Sequence, residues 1–236
     1  MLGVVAGTGA TTQGAGFSRL SHVMTESIST LLSSSGLILR GGFNFETGED
    51  APAQAVLLIG HGGAEYWTHF QAWQARNEGV ADPLDSWSRH VIDEAANALG
   101  ARAVYPSDWP YLPFQQWAMR AEGLKPSPLG ILMHPEFGLW HAYRGALLLD
   151  RALAFGEAPR ARHLCDECRK KPCLAVCPVG AFDADGYDVG ACRGHVRADG
   201  ATCRGQGCIA RNACPHDAYR YPAVVQAFHM DAFLRA

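Results

Sequence analysis

The cysteines of this chain are confined to one short stretch. All eight lie between Cys165 and Cys214, and the first 164 of the 236 residues contain none. No segment approaches the roughly 18 consecutive apolar residues that span a bilayer, and the start lacks the basic flank and apolar block of a secretory signal. We therefore expect a cytoplasmic protein without a membrane segment. Because disulfides are rare in that reducing compartment, the cysteines indicate metal binding.

The spacing of the cysteines divides them into two runs, and each run ends in a Cys-Pro pair. The first run comprises Cys165, Cys168, Cys173 and Cys177, and the second comprises Cys192, Cys203, Cys208 and Cys214. This arrangement resembles the bacterial ferredoxin pattern C-x2-C-x2-C-x3-C-P, in which the last cysteine of each run ligates the other cluster. Some intervals are longer here, but no ligand is missing. The resemblance implies two [4Fe-4S] clusters, one held by Cys165, Cys168, Cys173 and Cys214 and the other by Cys177, Cys192, Cys203 and Cys208.

Two alternatives to iron remain open for these cysteines. Two structural zinc sites of four thiolates each also draw ligands from closely spaced cysteine pairs, although Cys192 stands apart and zinc gives no reason for two Cys-Pro endings. Free thiols or disulfides are the other alternative. Residues 158–236 carry eleven Lys and Arg against eight Asp and Glu, whereas residues 1–157 carry nine against fifteen. We attribute this basic excess to the negative charge of thiolate-ligated clusters and expect no nucleic-acid partner.

The first two thirds of the chain predict alternating helices and strands. Apolar residues keep helical spacing over 17–32, and the continuous apolar run at 55–60 predicts a buried strand. Asp82 is expected to cap a helix that begins at Pro83 and runs to Leu99. The alternation predicts an α+β fold.

Composition divides the chain into two units. A stretch of small and charged residues with one proline, at 156–163, predicts a linker. We therefore expect a larger first domain over residues 1–157 and a small cysteine-rich domain over residues 158–236, the latter similar to bacterial ferredoxins.

The stretch ILMHPEFGLWHAYRGALLLD, residues 131–150, predicts two strands joined around Pro135 to Gly138. It resembles the strand pair of the cblC-type cobalamin-processing family, which carries H-P-x-F-G-x-W followed by Arg-Gly and an apolar run. The stretches AVLLIGHGGAEYWTHFQAW and DPLDSWSRHVIDEAANAL are similar to a buried strand and helices of that family. The resemblance covers about residues 17–150 and implies a nitroreductase-like domain that binds base-off cobalamin.

The same resemblance implies that residues 134–145, the turn segment, contact the corrin. A glycine there permits close approach of the backbone, and aromatic side chains line an apolar pocket. The implied cobalamin-binding residues are His134, Pro135, Phe137, Gly138, Trp140 and Tyr143. The structural alternative is that Phe137 and Trp140 are core residues and that His134 is a turn residue. The family has a longer insertion before this segment and no cysteine segment, so its glutathione chemistry is not expected.

A cobalamin domain followed by two clusters is the order of units in epoxyqueuosine reductases and reductive dehalogenases, which this chain resembles. The resemblance implies an oxidoreductase whose clusters pass single electrons to cobalt. Reductive processing of cobalamin itself is the first expectation, and cobalamin-dependent reduction of an organic substrate is the second. Two further hypotheses are a dicluster ferredoxin whose first domain docks a partner and a cobalamin chaperone with redox-sensing clusters.

These functions carry two further requirements. Electrons would come from an external donor, namely a ferredoxin, a flavodoxin or a reductase. An organic substrate would also require a proton donor. The candidates for that donor are Tyr105, Asp108, Tyr111 and His141.

Overall fold

The computed structural model describes residues 22–156, 160–183 and 186–235. The start of the first predicted helix and the predicted domain boundary at 157/158 lie outside the described residues. The elements of the first part are α1 (His22–Ser33), β1 (Ile38–Asn44), β2 (Ala55–Gly62), α2 (Tyr66–Gln74), α3 (Pro83–Leu99), β3 (Arg102–Val104), α4 (Phe114–Glu122), β4 (Lys125–Pro126), β5 (Leu132–Met133) and β6 (His141–Leu149). No helix in the described part of the chain is long and apolar enough to cross a membrane.

Short elements dominate the cysteine-rich part. They are α5 (Leu164–Glu167), α6 (Pro172–Ala175), β7 (Phe182–Asp183), β8 (Gly186–Tyr187), α7 (Val189–Arg197), α8 (Thr202–Gln206), α9 (Ile209–Asn212) and α10 (Ala223–Arg235). We call residues 160–222 the cysteine segment. The expected α+β composition is confirmed at this level.

An antiparallel sheet with the strand order β1-β2-β6-β3 forms the centre of the first part. Every residue of β2 from Ala55 to His61 is buried, which confirms the buried strand predicted at 55–60. Successive side chains of a strand point to opposite faces. Leu57 and Ile59 therefore pack with α1, α2 and α3, whereas Val56 and Leu58 pack with α4. The run is continuously apolar because helices cover both faces of the sheet.

The predicted helix over 83–99 is confirmed, but its N-cap is not. α3 begins at Pro83 and ends before Gly100, whose φ of 60° closes the helix in a left-handed conformation. Asp82 also has a positive φ, of 44°, and its side chain makes no capping hydrogen bond. The backbone at Asp82 turns the chain into the helix without the capping bond that was expected.

The two strands predicted on either side of Pro135 to Gly138 are present as β5 and β6, but they do not pair with each other. β5 pairs with β4, and β6 lies between β2 and β3. β3 covers only Ala146 to Leu148 of its edge of β6. The turn between the two strands instead closes on itself, because His134 and Gly138 exchange both backbone hydrogen bonds at 2.9 and 3.0 Å.

The C-terminal end of the chain returns to the core of the first part. Tyr221 and Val225 are buried in the same apolar cluster as Tyr66 and Trp140. The ring of Phe228 on α10 lies 5.2 Å from the ring of Trp67. The two predicted domains thus share a core along this face, which fixes the cysteine segment against the turn segment.

Candidate metal centres

Four cysteines from both runs line a single cavity. They are Cys165, Cys168, Cys173 and Cys214. Cys165 lies on α5, Cys173 lies in the first turn of α6 directly after Pro172, and Cys214 follows α9. The buried side chains of Met133 and Leu139, from the turn segment and the strand before it, cover the cavity from the other side. We call these cysteines the first thiol group.

The other four cysteines form a second thiol group. Its members are Cys177, Cys192, Cys203 and Cys208. Burial raises the pKa of Cys203, and the neighbouring Cys192 and Cys177 raise it further. Burial likewise raises the pKa of Cys208, with contributions from Cys203 and Cys192. Cys192 and Cys177 are therefore close enough to Cys203 to affect its pKa, and Cys192 and Cys203 are close enough to Cys208.

The last cysteine of each run therefore lies with the other run. Cys177 joins the second thiol group, and Cys214 joins the first. These are the two sets of four that the ferredoxin resemblance implied. The structure brings them together, and metal ligation by them stays a prediction.

The chemistry of the first thiol group fits positively charged metal ions that are held by thiolates. Burial, followed by the neighbouring Cys214 and Cys173, raises the pKa of Cys165 to about 11. Thiols crowded in this way ionise together only when a cation offsets their charge. Burial also raises the pKa of Cys214, whereas a hydrogen bond from the backbone N–H of His216 lowers it. Backbone N–H groups directed at sulfur are among the features that set the potentials of iron–sulfur clusters.

The structure does not distinguish between the metals considered for these cysteines. In the described residues, no group of three or more His, Cys, Asp or Glu side chains is arranged to hold a metal ion. Iron–sulfur clusters and the zinc alternative both stay predictions.

Trp140 and Gly138 of the turn segment face the cysteine segment rather than an open pocket. Trp140 has no exposed surface, and its ring lies 5.4 Å from that of Tyr221. The guanidinium of Arg211 lies 4.5 Å above the Trp140 ring. Gly138 has a φ of 60°, and a side chain there would meet the carbonyl oxygen of His216 at 2.6 Å. Only glycine permits this approach of the two segments.

The remaining residues implied for cobalamin lie nearer the surface. The Nδ1 atom of His134 accepts hydrogen bonds from the backbone N–H groups of Glu136 and Phe137, so His134 organises the turn. The ring of Phe137 stacks on that of His134 at 4.4 Å. Pro135 is exposed. Contact of this segment with a corrin stays a prediction, and in this structure its buried side is occupied by protein.

Tyr143 belongs to a buried ionic network. Its hydroxyl donates to Glu122, which accepts a bidentate pair of hydrogen bonds from Arg40 at 3.0 Å each. Burial is the largest single influence on the pKa of Arg40 and lowers it, but the charge and hydrogen bonds of Glu122 together with Tyr143 and Tyr221 raise the pKa above its ordinary value. Arg40 also donates to the carbonyl oxygen of His61 and lies 3.3 Å from Nδ1 of His141. Tyr143 therefore holds β1, α4 and β6 together.

One proton-donor candidate lines a cavity. Tyr105 borders a space of about 290 Å³ together with Arg89, Tyr143 and Arg144. The register of β2 and β6 shifts at this point, so Arg144 has no Cα partner on β2. Such a bulge re-aims side chains, and it lets the consecutive residues Tyr143 and Arg144 line the same cavity. The volume is at the low end for drug-sized ligands and is small for a corrin.

One further proton-donor candidate lies beside Tyr105. Asp108 is paired with Arg89, whose guanidinium lies 4.2 Å over the ring of Tyr105. The side chain of Tyr111 is exposed. His141 is buried, and its Nε2 atom lies 2.8 Å from the carbonyl oxygen of Leu132. Asp108 and Tyr105 therefore share a site, whereas Tyr111 and His141 do not line that cavity.

Two arginines at the candidate site were not singled out from the sequence. They are Arg40 and Arg211. A signal existed for Arg40, because it is a lone charge within the largely apolar strand ILRGGFN. Its partner Glu122 is 82 residues away, so sequence spacing gave no hint of the pair. Arg211 differs from the other basic residues of its region only by its burial and contacts, which require the folded chain.

Comparison with known proteins identifies no family model that matches the chain and no curated protein that matches it. The functional assignment therefore depends on the residues and geometry described above. The resemblances of the two motifs supply expectations for it.

We expect the stability of the protein to fall in mild acid because several histidines are buried without charge. Burial lowers the pKa of four of them, to about 3 for His134 and about 4 for His229, and well below the ordinary range for His61 and His141. Each binds its proton near pH 6.5 only after unfolding. Stability is therefore fully present above pH 6.5 and is lost as the pH falls towards the folded-state values.

The urea midpoint of the protein at pH 7.5 and pH 5.5 tests this expectation. For His229 alone the loss between these values is about 1 kcal/mol, so His229→Asn should reduce the pH dependence by that amount. His90→Asn, at an exposed position, is the control and should leave the pH dependence unchanged. Identical pH dependence in all three proteins would contradict the account of His229.

Proposed function

We propose that the chain is an iron–sulfur protein that transfers single electrons through two [4Fe-4S] clusters. The observation that carries the proposal is the grouping of the eight cysteines into two sets of four, with Cys177 and Cys214 exchanged between the runs. When bound, such clusters accept and release one electron at a time, at potentials set by charge, hydrogen bonding and solvent exposure. The chain supplies the thiolates, the backbone N–H groups and the covering side chains.

The surroundings of the two groups support a direction for electron flow. Tyr187, whose pKa is raised by burial and then by Cys192, lies against the second thiol group and is still 41% exposed. Val189 beside it is also exposed. The first thiol group instead faces the buried side chains of Met133 and Leu139. We therefore assign electron entry to the second group and exit to the first.

A second proposal names the acceptor as cobalamin at the turn segment. It is supported by the resemblance of residues 131–150 and by the position of Leu139 and Met133 at the first thiol group. Because Gly138 and Trp140 contact the cysteine segment, the corrin would meet the outer side of the turn. That side presents the exposed Pro135. Glu136 accepts a hydrogen bond from Tyr219, and the half-buried ring of Phe137 lies 4.9 Å from the Tyr219 ring, so these two side chains also contact the cysteine segment.

Anaerobic reduction tests both proposals in sequence. Protein purified without oxygen should bleach in the visible region when dithionite is added, and the reduced form should give paramagnetic resonance signals from two clusters. Hydroxocobalamin added to the reduced protein should then be reduced with a base-off absorption spectrum. Absence of bleaching would contradict electron transfer, whereas bleaching without any change in the corrin spectrum would contradict cobalamin as the acceptor.

The variant Phe137→Ala tests whether the corrin binds at the turn segment. This half-buried ring is one of the implied corrin contacts, so its loss should weaken corrin binding about tenfold or more while the cluster absorbance stays the same. Tyr111→Ala is the matched control, because it removes another accessible aromatic ring away from the turn segment. Equal affinity in wild type and Phe137→Ala would remove the turn from the proposed site.

A further inference from the structure

The arginines of the cysteine segment fall into two classes by their partners. Exposed members pair with carboxylates, as Arg162 does with Glu167, Arg204 with Asp231 and Arg220 with Asp217. Arg211 and Arg193 differ, because each is half-buried and has a fully buried Nε atom without a hydrogen-bond partner. Arg193 lies over the ring of Phe233, whereas Arg211 lies between cysteines of both groups along the chain. Within residues 22–156, 160–183 and 186–235, no carboxylate forms an ion pair with Arg211.

Arg211 stands between the two thiol groups. In sequence it lies three residues after Cys208 of the second group and three residues before Cys214 of the first. Its backbone N–H is directed at the sulfur of Cys208. Its guanidinium donates to the carbonyl oxygen of Leu139, whose side chain lines the cavity of the first group.

The contacts of the guanidinium leave its charge without compensation. It lies 4.5 Å from the ring of Trp140 and 5.0 Å from that of Tyr221. Aromatic faces and one carbonyl stabilise a cation, but they carry no net negative charge. A partly buried cation is stabilised by a negative charge close to it. Along the chain, the residues on either side that carry negative charge when they ligate metal are Cys208 and Cys214.

We propose that Arg211 is the shared countercharge of both thiol groups and that it raises the reduction potential of both clusters. The inference depends on the proposed function. Each added electron makes a thiolate-ligated cluster more negative, so a fixed cation nearby stabilises the reduced form. Arg211 is thus a positioning residue that acts through the clusters. Because its guanidinium contacts Trp140, the potentials of the clusters also depend on that contact.

Potentiometric titration of Arg211→Gln, followed by paramagnetic resonance, tests this role. Loss of the charge should weaken the affinity of both clusters for an electron by about tenfold, which is a shift of about 59 mV to lower potential for a one-electron couple. Arg204→Gln is the matched control, since it removes a charge directly after Cys203 from a side chain that is 56% exposed and paired with Asp231. We expect Arg204→Gln to leave both potentials unchanged.

The outcomes separate this inference from the proposed function. Cluster signals in the wild type together with equal potentials in wild type and Arg211→Gln would overturn the role of Arg211 alone. A wild-type protein that holds no iron would overturn the proposed function and this inference with it. If Arg211→Gln binds less iron than the wild type, the iron contents of Arg211→Lys and Arg211→Met are compared instead. Iron retained in Arg211→Lys and lost in Arg211→Met supports a charge effect, whereas equal loss in both variants contradicts it.

Discussion

Replacement of Cys214 by alanine is expected to lower the iron content from about eight to about four atoms per chain and to remove one of two cluster signals. The reason is the crossed grouping, in which Cys214 lines the cavity of Cys165, Cys168 and Cys173. The remaining signal should belong to the second thiol group. Iron analysis and paramagnetic resonance of anaerobically purified variants provide the measurement.

A set of paired variants identifies which cluster each cysteine holds. Cys165→Ala should remove the same signal as Cys214→Ala, although these residues belong to different runs. Cys177→Ala and Cys208→Ala should both remove the other signal, because Cys177 lies with the second thiol group. If Cys214→Ala instead matched Cys208→Ala, the clusters would follow the runs and the crossed grouping would be wrong.

Replacement of Trp140 by alanine is expected to destabilise the protein by about 3 to 5 kcal/mol. Trp140 is fully buried and contacts Tyr221 and Arg211, which belong to the cysteine segment. A loss of this size is a large share of the roughly 5 to 15 kcal/mol that stabilise a typical domain. It should lower the thermal midpoint by an amount of the order of 10 °C.

Trp109→Ala is the control for this substitution. The side chain of Trp109 is 83% exposed, so its removal should change the free energy of unfolding by at most about 0.5 kcal/mol. Because Trp140 joins the two parts of the chain, Trp140→Ala should also release iron faster to a chelator. Equal midpoints and equal release rates in the two variants would show that Trp140 does not fix the cysteine segment.

One strand and one helix could be predicted from short patterns in the sequence. The apolar run at 55–60 and the helix from Pro83 to Leu99 follow from periodicity and from residues with restricted backbone angles, and both are confirmed. The exchange of Cys177 and Cys214 between the runs followed instead from the resemblance to bacterial ferredoxins, and metal ligation by these groups stays a prediction. In each case the necessary information lies within about twenty residues of sequence or in a spacing that few chemistries share.

Features that depend on distant residues were not predictable in this way. β5 pairs with β4 rather than with β6, and the turn residues Pro135 to Gly138 carry no information about that choice. The environment of Trp140 is set by Tyr221, 81 positions later, so a lining residue and a core residue look the same in sequence. The pairing of Arg40 with Glu122 has the same origin.

The most direct test of the central claim is a crystal structure of protein purified without oxygen, with anomalous scattering recorded at the iron edge. The account predicts two iron-rich centres. One should be bounded by Cys165, Cys168, Cys173 and Cys214, and the other by Cys177, Cys192, Cys203 and Cys208. Zinc at either set, or disulfide bonds among these cysteines, would contradict it.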